Sequence, residues 1–279
     1  MNKKVSIITP VLNEEEHISE FISSVIEQTY RPIELILIDG GSTDKTVFKI
    51  YSVINTNEDD LFDIKLRNEY GNIKTPANAR NIGLDNTSGE FILIVDCDTV
   101  FGDTNILQNA ISEMCNNDSI LIEFKPIINT KLEQFISDTS GRSGVILYKK
   151  TLIDNHRFIS NLGYGEDRIF TYEIFNDLDY KGKVVSLKIG RHYPHTLKEY
   201  SDQNEWYGKT ILRYISVALK INKKDAYLRI IFILYNVSVC IFPIISALRI
   251  KRYSIDSIVY SFVASFYFTK GVIRSLWKY

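Results

Sequence analysis

The chain has 279 residues, of which 45% are hydrophobic and 24% charged, and its formal net charge is −1. This composition excludes a disordered, fibrous or low-complexity protein and predicts one large domain or two small ones. Three cysteines in no metal-ligand spacing argue against a disulfide framework and a structural zinc site, and they indicate a reducing compartment.

The charge is distributed unevenly along the chain. From Leu197 onward 13 Lys and Arg stand against 5 Asp and Glu, so this part carries +8 and the preceding part −9. A basic and aromatic C-terminal part predicts an anionic partner there, either a membrane surface or a nucleic acid. The first ten residues lack the apolar run of a secretory signal, so we expect the N-terminal part to remain in the cytosol.

The first half of the chain predicts an α/β fold with a mostly parallel sheet, because short apolar runs alternate with amphipathic segments. Continuous β-branched runs predict strands at Val5–Thr9, Glu34–Ile38, Phe91–Val95, Ile120–Ile128 and Lys183–Ile189. Helical spacing predicts helices at His17–Gln28, Lys45–Ile54, from Ala77, at Asn105–Cys115 and at Arg168–Leu178. We interpret Asp59–Thr75 and Asn129–Ser143 as loops.

The C-terminal part predicts membrane-associated helices. Ile230–Leu248 is uncharged over nineteen residues, which as a helix is about 28 Å, close to the hydrocarbon thickness of about 30 Å. Ser257–Thr269 is shorter and crosses only with flanking residues, although its serines would allow close helix packing. Before them, Trp206–Lys224 alternates apolar and basic residues, as in a helix on a bilayer surface. The alternative is a pair of buried core helices in a soluble protein.

Positive charges predict how this hairpin is oriented. Seven Lys or Arg flank the two runs, against three in the turn between them. This bias favours both ends in the cytosol. We therefore expect a sheet domain over 1–200, an amphipathic interfacial helix over 201–226 and a hydrophobic membrane-associated hairpin over 227–279.

Polar residues follow three of the predicted strands, at Pro10–Glu14, Asp39–Asp44 and Asp96–Asp98. Ligands of open parallel sheets bind outside the carboxyl ends of the strands. The alternative for any one of these segments is a turn or a helix cap, and for Ser42–Asp44 the two explanations are about equally good. The three together predict a binding site at one edge of the sheet.

Asp96 and Asp98 are the strongest of these signals. In an extended strand both side chains lie on one face, where two carboxylates repel each other unless a cation bridges them or one is protonated. Oxygen ligands of this kind suit Mg²⁺ or Mn²⁺, which often keep open positions for substrate phosphates. The pair therefore predicts a divalent metal site.

Five segments in order make the chain resemble glycosyltransferase family 2, whose members have the GT-A fold. They are V-S-I-I-T-P-V-L-N-E-E, L-I-D-G-G-S-T-D-K-T, N-A-R-N-I-G-L, D-C-D and G-Y-G-E-D-R-I-F, which lie between Val5 and about His195. Gly40 departs from the aspartate common in the family, whereas Asp39 is retained. The resemblance implies a Rossmann-like, mostly parallel sheet flanked by helices, here followed by C-terminal amphipathic and hydrophobic helices.

The resemblance also implies donor-binding residues. Pro10, Asn13 and Glu14 would line the nucleoside, and Asp39 would accept a hydrogen bond from the base. Arg80 would approach the donor, although a surface helix arginine is the alternative. Asp96 would border the ribose or the metal, and Asp98 would hold the metal against the diphosphate.

A second set of residues is implied for the acceptor. Asp167 would be the catalytic base and Glu166 a neighbour that binds the acceptor or orients the loop. A helix N-terminus lowers the pKa of a carboxyl group, which suits a base that stays ionised. Favourable interaction of an acidic first turn with the helix dipole is the alternative. His195 is a further candidate metal ligand.

The resemblance thus implies an inverting, metal-dependent hexosyltransferase at the cytoplasmic face of the membrane. It would transfer sugar from a UDP-, GDP- or dTDP-linked donor to a lipid-linked or cell-surface glycan, with no nucleic-acid partner. A sugar nucleotidyltransferase is the first alternative, but Pro10–Glu14 lacks the glycines and cations that hold a triphosphate. A non-catalytic membrane scaffold is the second.

Overall fold

The computed structural model describes residues 2–57, 59–116, 121–126, 131–132, 145–177, 184–191, 196–241 and 255–277. The chain forms two compact units. The first comprises Met1–Ile127, Gly141–Asn161 and Glu166–His192. The second comprises Ile128–Ser140, Leu162–Gly165 and Tyr193–Tyr279.

The first unit is built on a mixed sheet dominated by parallel pairs. Its strands are β1 (Val5–Val11), β2 (Ile33–Asp39), β3 (Phe62–Asn68), β4 (Phe91–Ile94), β5 (Thr99–Val100), β6 (Leu121–Pro126), β7 (Ile146–Lys149) and β8 (Val184–Arg191). Their order is β3-β2-β1-β4-β7-β6-β8-β5. Strands β1 to β4 run parallel to one another, and β7 pairs antiparallel with both β4 and β6.

Helices cover both faces of this sheet. They are α1 (Ile18–Ile26), α2 (Thr46–Ile54), α3 (Pro76–Asp85), α4 (Ile106–Asn116), α5 (Lys150–Ile153) and α6 (Glu166–Asp177). Ile7 and Leu35 pack in one cluster with residues of α1, α2 and α4. Ile8 and Ile92 pack on the other face, with residues of α3 and α6. Because both faces are covered, the central strands β1, β2 and β4 are almost wholly buried and mostly apolar.

The predicted α/β class with a mostly parallel sheet is confirmed. The interpretation of Asp59–Thr75 as a loop is wrong, because β3 occupies Phe62–Asn68 at the sheet edge, with buried Phe62 and Ile64 alternating with exposed Asp63. The predicted loop Asn129–Ser143 lies outside the described residues except for 131 and 132, which are helical.

The second unit consists mainly of three helices, α7 (Leu197–Ile221), α8 (Lys223–Ile241) and α9 (Ile255–Leu276). Helices α7 and α9 cross closely at two glycines: a Cβ on Gly208 would lie 2.0 Å from the Phe268 carbonyl oxygen, and one on Gly271 would lie 2.1 Å from that of Glu205. Buried Glu205 binds three cations at this crossing, Lys209, Lys270 and Arg274.

Within the described residues, none of the helices has both the length and the apolar character needed to cross a bilayer. Residues 242–248 of the predicted span Ile230–Leu248 lie outside the described residues. Of the serines expected to allow close helix packing, Ser261 and Ser265 are buried in α9.

Candidate functional site

The sheet topology brings the three predicted segments to one edge. Strands β2, β1 and β4 are parallel neighbours, so their carboxyl ends lie side by side. The chain moves outward from β1 to β2 and β3, and it then returns to place β4 on the other side of β1. The crevice at such a switch point is the usual ligand site of an open α/β sheet. Pro10–Glu14 begins within the last two residues of β1, and Asp96–Asp98 follows β4; these two strands flank the crevice.

Asn13 joins the first two of these segments. Its backbone φ is +56°, in the left-handed region that asparagine tolerates better than most residues. The Asn13 amide donates to Ser42 Oγ at 2.9 Å, and its side-chain Oδ1 accepts from the Thr43 amide at 2.8 Å. Pro10 is half-buried at the end of β1. Part of the hydrogen-bonding capacity of Asn13 is thus used to hold the loop after β2.

Asp39 is buried at the end of β2, where its carboxylate accepts from the backbone amides of Gly41 and Ser42 at 3.1 Å. The next acidic residue, Asp44, accepts from the Thr46 amide at 3.0 Å and from the Glu15 amide at 3.1 Å. Both carboxylates therefore stabilise the loop between β2 and α2. Asp44 is not the N-cap of α2: it precedes the N-cap residue Lys45 and binds the amide of Thr46, the first residue of the helix.

The end of β4 concentrates negative charge. Asp96 and Asp98 are half-buried, and the Cys97 thiol between them is buried. Burial, together with the charges of Asp98, Asp96 and Asp44, raises the pKa of Glu14 to about 7. Three carboxyl groups from the segments that follow β1 and β4 thus share one region of negative potential.

This donor set fits a hard divalent cation, because carboxylate oxygens are its preferred ligands and a positive charge would relieve the repulsion among them. The Asp96 side chain keeps 33% of its surface exposed. Among the described residues, no group of three or more His, Cys, Asp or Glu side chains has the arrangement of a metal site. His195 lies outside the described residues.

Arg80 links Asp96 to the predicted acceptor residues. It lies in α3 and is buried, so the surface-arginine alternative is wrong. Its Nη2 lies 2.6 Å from Asp96 Oδ1, and its Nη1 donates to Glu166 Oε1. The guanidinium also lies 5.7 Å from the centre of the Phe158 ring. One cation therefore contacts carboxylates from β4 and α6.

The other residues of the N-A-R-N segment hold neighbouring loops. Asn78 Nδ2 donates to Glu69 Oε1 at 2.8 Å. Asn81 exchanges two hydrogen bonds of 2.8 Å with the backbone of Phe158. Glu69 follows β3 and is buried, and it is not among the site residues predicted from the sequence. Its signal is its place after β3, where it is another strand-end carboxylate.

Glu166 and Asp167 form the first turn of α6, which begins two residues earlier than expected. Burial raises the pKa of the Glu166 carboxyl and outweighs the opposing effect of Arg80, so the expected lowering at the helix N-terminus does not hold for this residue. Asp167 is half-buried, and its backbone carbonyl accepts from Thr171 Oγ1 at 2.8 Å.

The loop before α6 belongs to the second unit, where aromatic side chains hold it. Gly165 has φ +71°, and a Cβ there would lie 2.5 Å from the Tyr214 ring, so both backbone and space require glycine. The Tyr164 ring meets that of Tyr214 edge-on at 5.5 Å, and its hydroxyl accepts from Arg229 Nη1 at 3.1 Å. These contacts hold Tyr164 and Gly165 within the second unit.

The chain is similar in sequence to several curated proteins. WfgD of Escherichia coli, a UDP-Glc:alpha-D-GlcNAc-diphosphoundecaprenol beta-1,3-glucosyltransferase, is 42% identical over 127 residues, which cover 45% of this chain and 47% of WfgD. The minor teichoic acid biosynthesis protein GgaA of Bacillus subtilis is 27% identical over 239 residues, which cover 75% of this chain and 51% of GgaA. The chain thus spans about half the length of these relatives.

A solved structure shares the fold. The mannosyltransferase PcManGT from Pyrobaculum calidifontis, in complex with GDP-Man and Mn²⁺, superposes with a TM-score of 0.70 at 16% identity, over 100% of this chain and 88% of that one. Residues 6–165, more than half of the chain, match the family described as Glycosyl transferase family 2. The chain therefore belongs to glycosyl transferase family 2.

Proposed function

We propose that the protein is an inverting glycosyltransferase that moves a sugar from a nucleotide-sugar donor to a hydroxyl of a lipid-linked or cell-surface glycan. Family membership supports the reaction class. One observation carries the residue assignment: buried Arg80 contacts Asp96, at the predicted donor edge, and Glu166, beside the predicted base. The residues assigned to donor and acceptor are thus joined by a single side chain.

Each residue has a role in this proposal. Pro10, Asn13, Glu14 and Asp39 bind the nucleoside, while Arg80 keeps Asp96 in place. The acceptor oxygen bonds to the anomeric carbon as the bond from that carbon to the diphosphate oxygen breaks. The hydroxyl proton passes to the Asp167 carboxylate, and the nucleoside diphosphate leaves with the bonding electrons. Glu166, held by Arg80, orients the start of α6.

Asp98 and Asp96 are the residues that would hold Mg²⁺ or Mn²⁺, and His195 is a further candidate ligand. When bound, the ion would neutralise charge on the leaving diphosphate. Support comes from the carboxylates at the end of β4 and from PcManGT, a protein of the same fold solved with Mn²⁺. WfgD is described with UDP-Glc and PcManGT was solved with GDP-Man, so the donors to be tested include both uridine and guanosine diphosphate sugars.

We place the reaction at the cytoplasmic face of the membrane, with the C-terminal helices as the membrane-associated part. The name of WfgD gives a diphosphoundecaprenol-linked acceptor, which supports an acceptor held in a bilayer. The charge of +8 from Leu197 onward supports attraction of that part to anionic lipid.

Hydrolysis of UDP-, GDP- and dTDP-sugars by the full chain in detergent, with Mn²⁺, Mg²⁺ or a chelator, tests this proposal. We expect one donor to be hydrolysed only with metal, and Asp98→Asn to abolish metal-dependent binding of the nucleoside diphosphate in calorimetry. Asp60→Asn, at an exposed aspartate in the loop before β3, is the matched control and should bind normally. Absence of both hydrolysis and metal-dependent binding in the unmodified chain would leave the scaffold alternative.

A further inference from the structure

Helix α8 has polar side chains turned inward and apolar side chains turned outward. Its Asn236 is buried, where Oδ1 accepts from Ser265 Oγ at 2.9 Å. On the opposite side more than half of each of four large side chains is exposed: Tyr227 57%, Leu228 54%, Ile231 60% and Leu234 64%. A helix of a protein surrounded by water normally has the reverse arrangement.

Helix α9 also exposes apolar side chains while it buries polar ones. Ser261 and Ser265 are buried together with Phe268 and Val272, whereas Phe262, Phe266 and Ile273 are exposed. The exposed side chains recur at spacings of four and seven residues, so they lie along one face of the helix. Two neighbouring helices of the second unit therefore present apolar side chains outward. Contiguous apolar surface of this kind marks an interaction site.

The charged side chains of α8 are also divided between its inward and outward faces. Asp225 is the single acidic residue between positions 213 and 241. It faces inward, where it accepts from the Tyr214 hydroxyl and lies 3.9 Å from Arg229. Lys223 and Lys224 are exposed, each one helical turn before Tyr227 or Leu228 and so on the same face. The outward face thus carries positive charge at its start and apolar side chains beyond it.

We propose that this outward face binds an anionic lipid bilayer. The face, called here the α8 stripe, comprises Lys223, Lys224, Tyr227, Leu228, Ile231 and Leu234. The lysines lie among anionic headgroups and the apolar side chains enter the boundary with the acyl chains, with the helix lying in the plane of the interface. A second copy of the chain would instead bring more lysines to this face, whereas anionic headgroups neutralise them.

This inference deepens the proposed function, on which it rests for the choice of a lipid partner. The α8 stripe contains none of the residues assigned to the donor or acceptor. Vesicle binding needs no sugar nucleotide, so the two proposals can fail separately: a chain that binds vesicles but hydrolyses no donor overturns only the proposed reaction.

Flotation of the full chain with vesicles tests the stripe. We expect stronger binding to vesicles of phosphatidylcholine with phosphatidylglycerol than to phosphatidylcholine alone, and weaker binding at high salt. Ile231→Ser with Leu234→Ser should lower the partition coefficient by about tenfold or more, because two apolar side chains that enter the bilayer in this proposal are lost. Lys223→Gln with Lys224→Gln should remove most of the preference for the anionic vesicles.

The control is Phe48→Ser with Leu61→Ser, which removes two exposed apolar side chains of the first unit and should leave binding unchanged. Thermal unfolding of each variant checks that it folds. Equal flotation of the Ile231/Leu234 variant and the unmodified chain would overturn the proposal. A second outcome would also overturn it: the unmodified chain does not bind vesicles, and light scattering shows that it forms a dimer which the variant does not form. A second copy of the chain would then cover the stripe.

Discussion

The Nη2 atom of Arg80 lies 2.6 Å from Oδ1 of Asp96, and the same guanidinium contacts Glu166. Arg80 is buried and its Nε has no hydrogen-bond partner among the described residues. A buried charge of this kind is tolerated because its partners compensate it, and removing one member leaves the others uncompensated.

Replacing Arg80 by methionine should destabilise the first unit. The substitution keeps most of the side-chain volume but leaves Asp96 and Glu166 without their cation, which should cost about 3–5 kcal/mol of unfolding free energy. Urea unfolding without donor measures this cost. Arg157→Met is the matched control, because its pair with Asp85 is about half exposed and should contribute less than about 1 kcal/mol. Equal losses in the two variants would contradict the prediction.

Asp167→Asn should abolish most transfer and spare donor binding. If the acceptor is a hydroxyl, loss of the base should lower kcat by about 10²- to 10⁴-fold. The measurements are transfer to a lipid-linked glycan and calorimetric affinity for the nucleoside diphosphate. Asp154→Asn, at an exposed aspartate, is the control. Nearly full activity of Asp167→Asn would indicate a phosphate nucleophile, as in a polyprenyl phosphate acceptor, which needs little help from a base.

Buried Glu34 should make stability depend on pH. Burial alone would raise its pKa, but hydrogen bonds from Lys65, Ser6 and Ser88 outweigh this effect and lower the pKa from 4.5 to about 2. Because the folded pKa is the lower one, Glu34 stabilises the fold fully above pH 4.5 and loses this contribution as the pH falls towards 2.

Unfolding of Glu34→Gln across this range checks the sign. The variant should be less stable than the unmodified chain at neutral pH, and the difference should shrink between pH 4.5 and pH 2. Glu27→Gln, at an exposed position in the same unit, should show no such convergence. A difference that stays constant with pH would show that Glu34 acts through packing alone.

Gly208→Ala should separate α7 from α9. The new methyl group would lie 2.0 Å from a backbone oxygen, so the helices must move apart. Overpacking of this kind costs about 1–3 kcal/mol, despite the higher helix propensity of alanine. A lower midpoint in thermal unfolding measures it. Ser216→Ala, on the exposed side of α7, is the control and should leave the unfolding midpoint almost unchanged. A midpoint of Gly208→Ala equal to that of the unmodified chain would refute the close crossing.

The part of the fold that the sequence predicts well is the part that local patterns specify. Strands β1, β2 and β4 are buried on both faces, so each is a mostly apolar run that is easy to recognise. The polar residues at their ends are therefore recognisable as candidate binding residues. Edge strand β3 alternates Phe62 and Ile64 with Asp63 and Lys65, which hides it among polar loops.

Long-range pairing could not be read in this way. Arg80 meets its partners across 16 and 86 residues of chain, and nothing in the local sequence distinguishes it from an exposed helix arginine. The inward orientation of Asn236 depends likewise on Ser265, 29 residues away. Uncharged runs indicated apolar helices near the C-terminus, but the face that each side chain occupies follows from packing.

Cys97, between the two aspartates after β4, has a further practical consequence. Burial raises the pKa of its thiol, and the charges of Glu14, Asp98 and Asp96 raise it further. Alkylating reagents and peroxide attack the thiolate, which this sulfur does not form near neutral pH. Cys115, by contrast, is exposed. A maleimide dye could therefore be attached to Cys115 while the sulfur at the strand end stays unmodified.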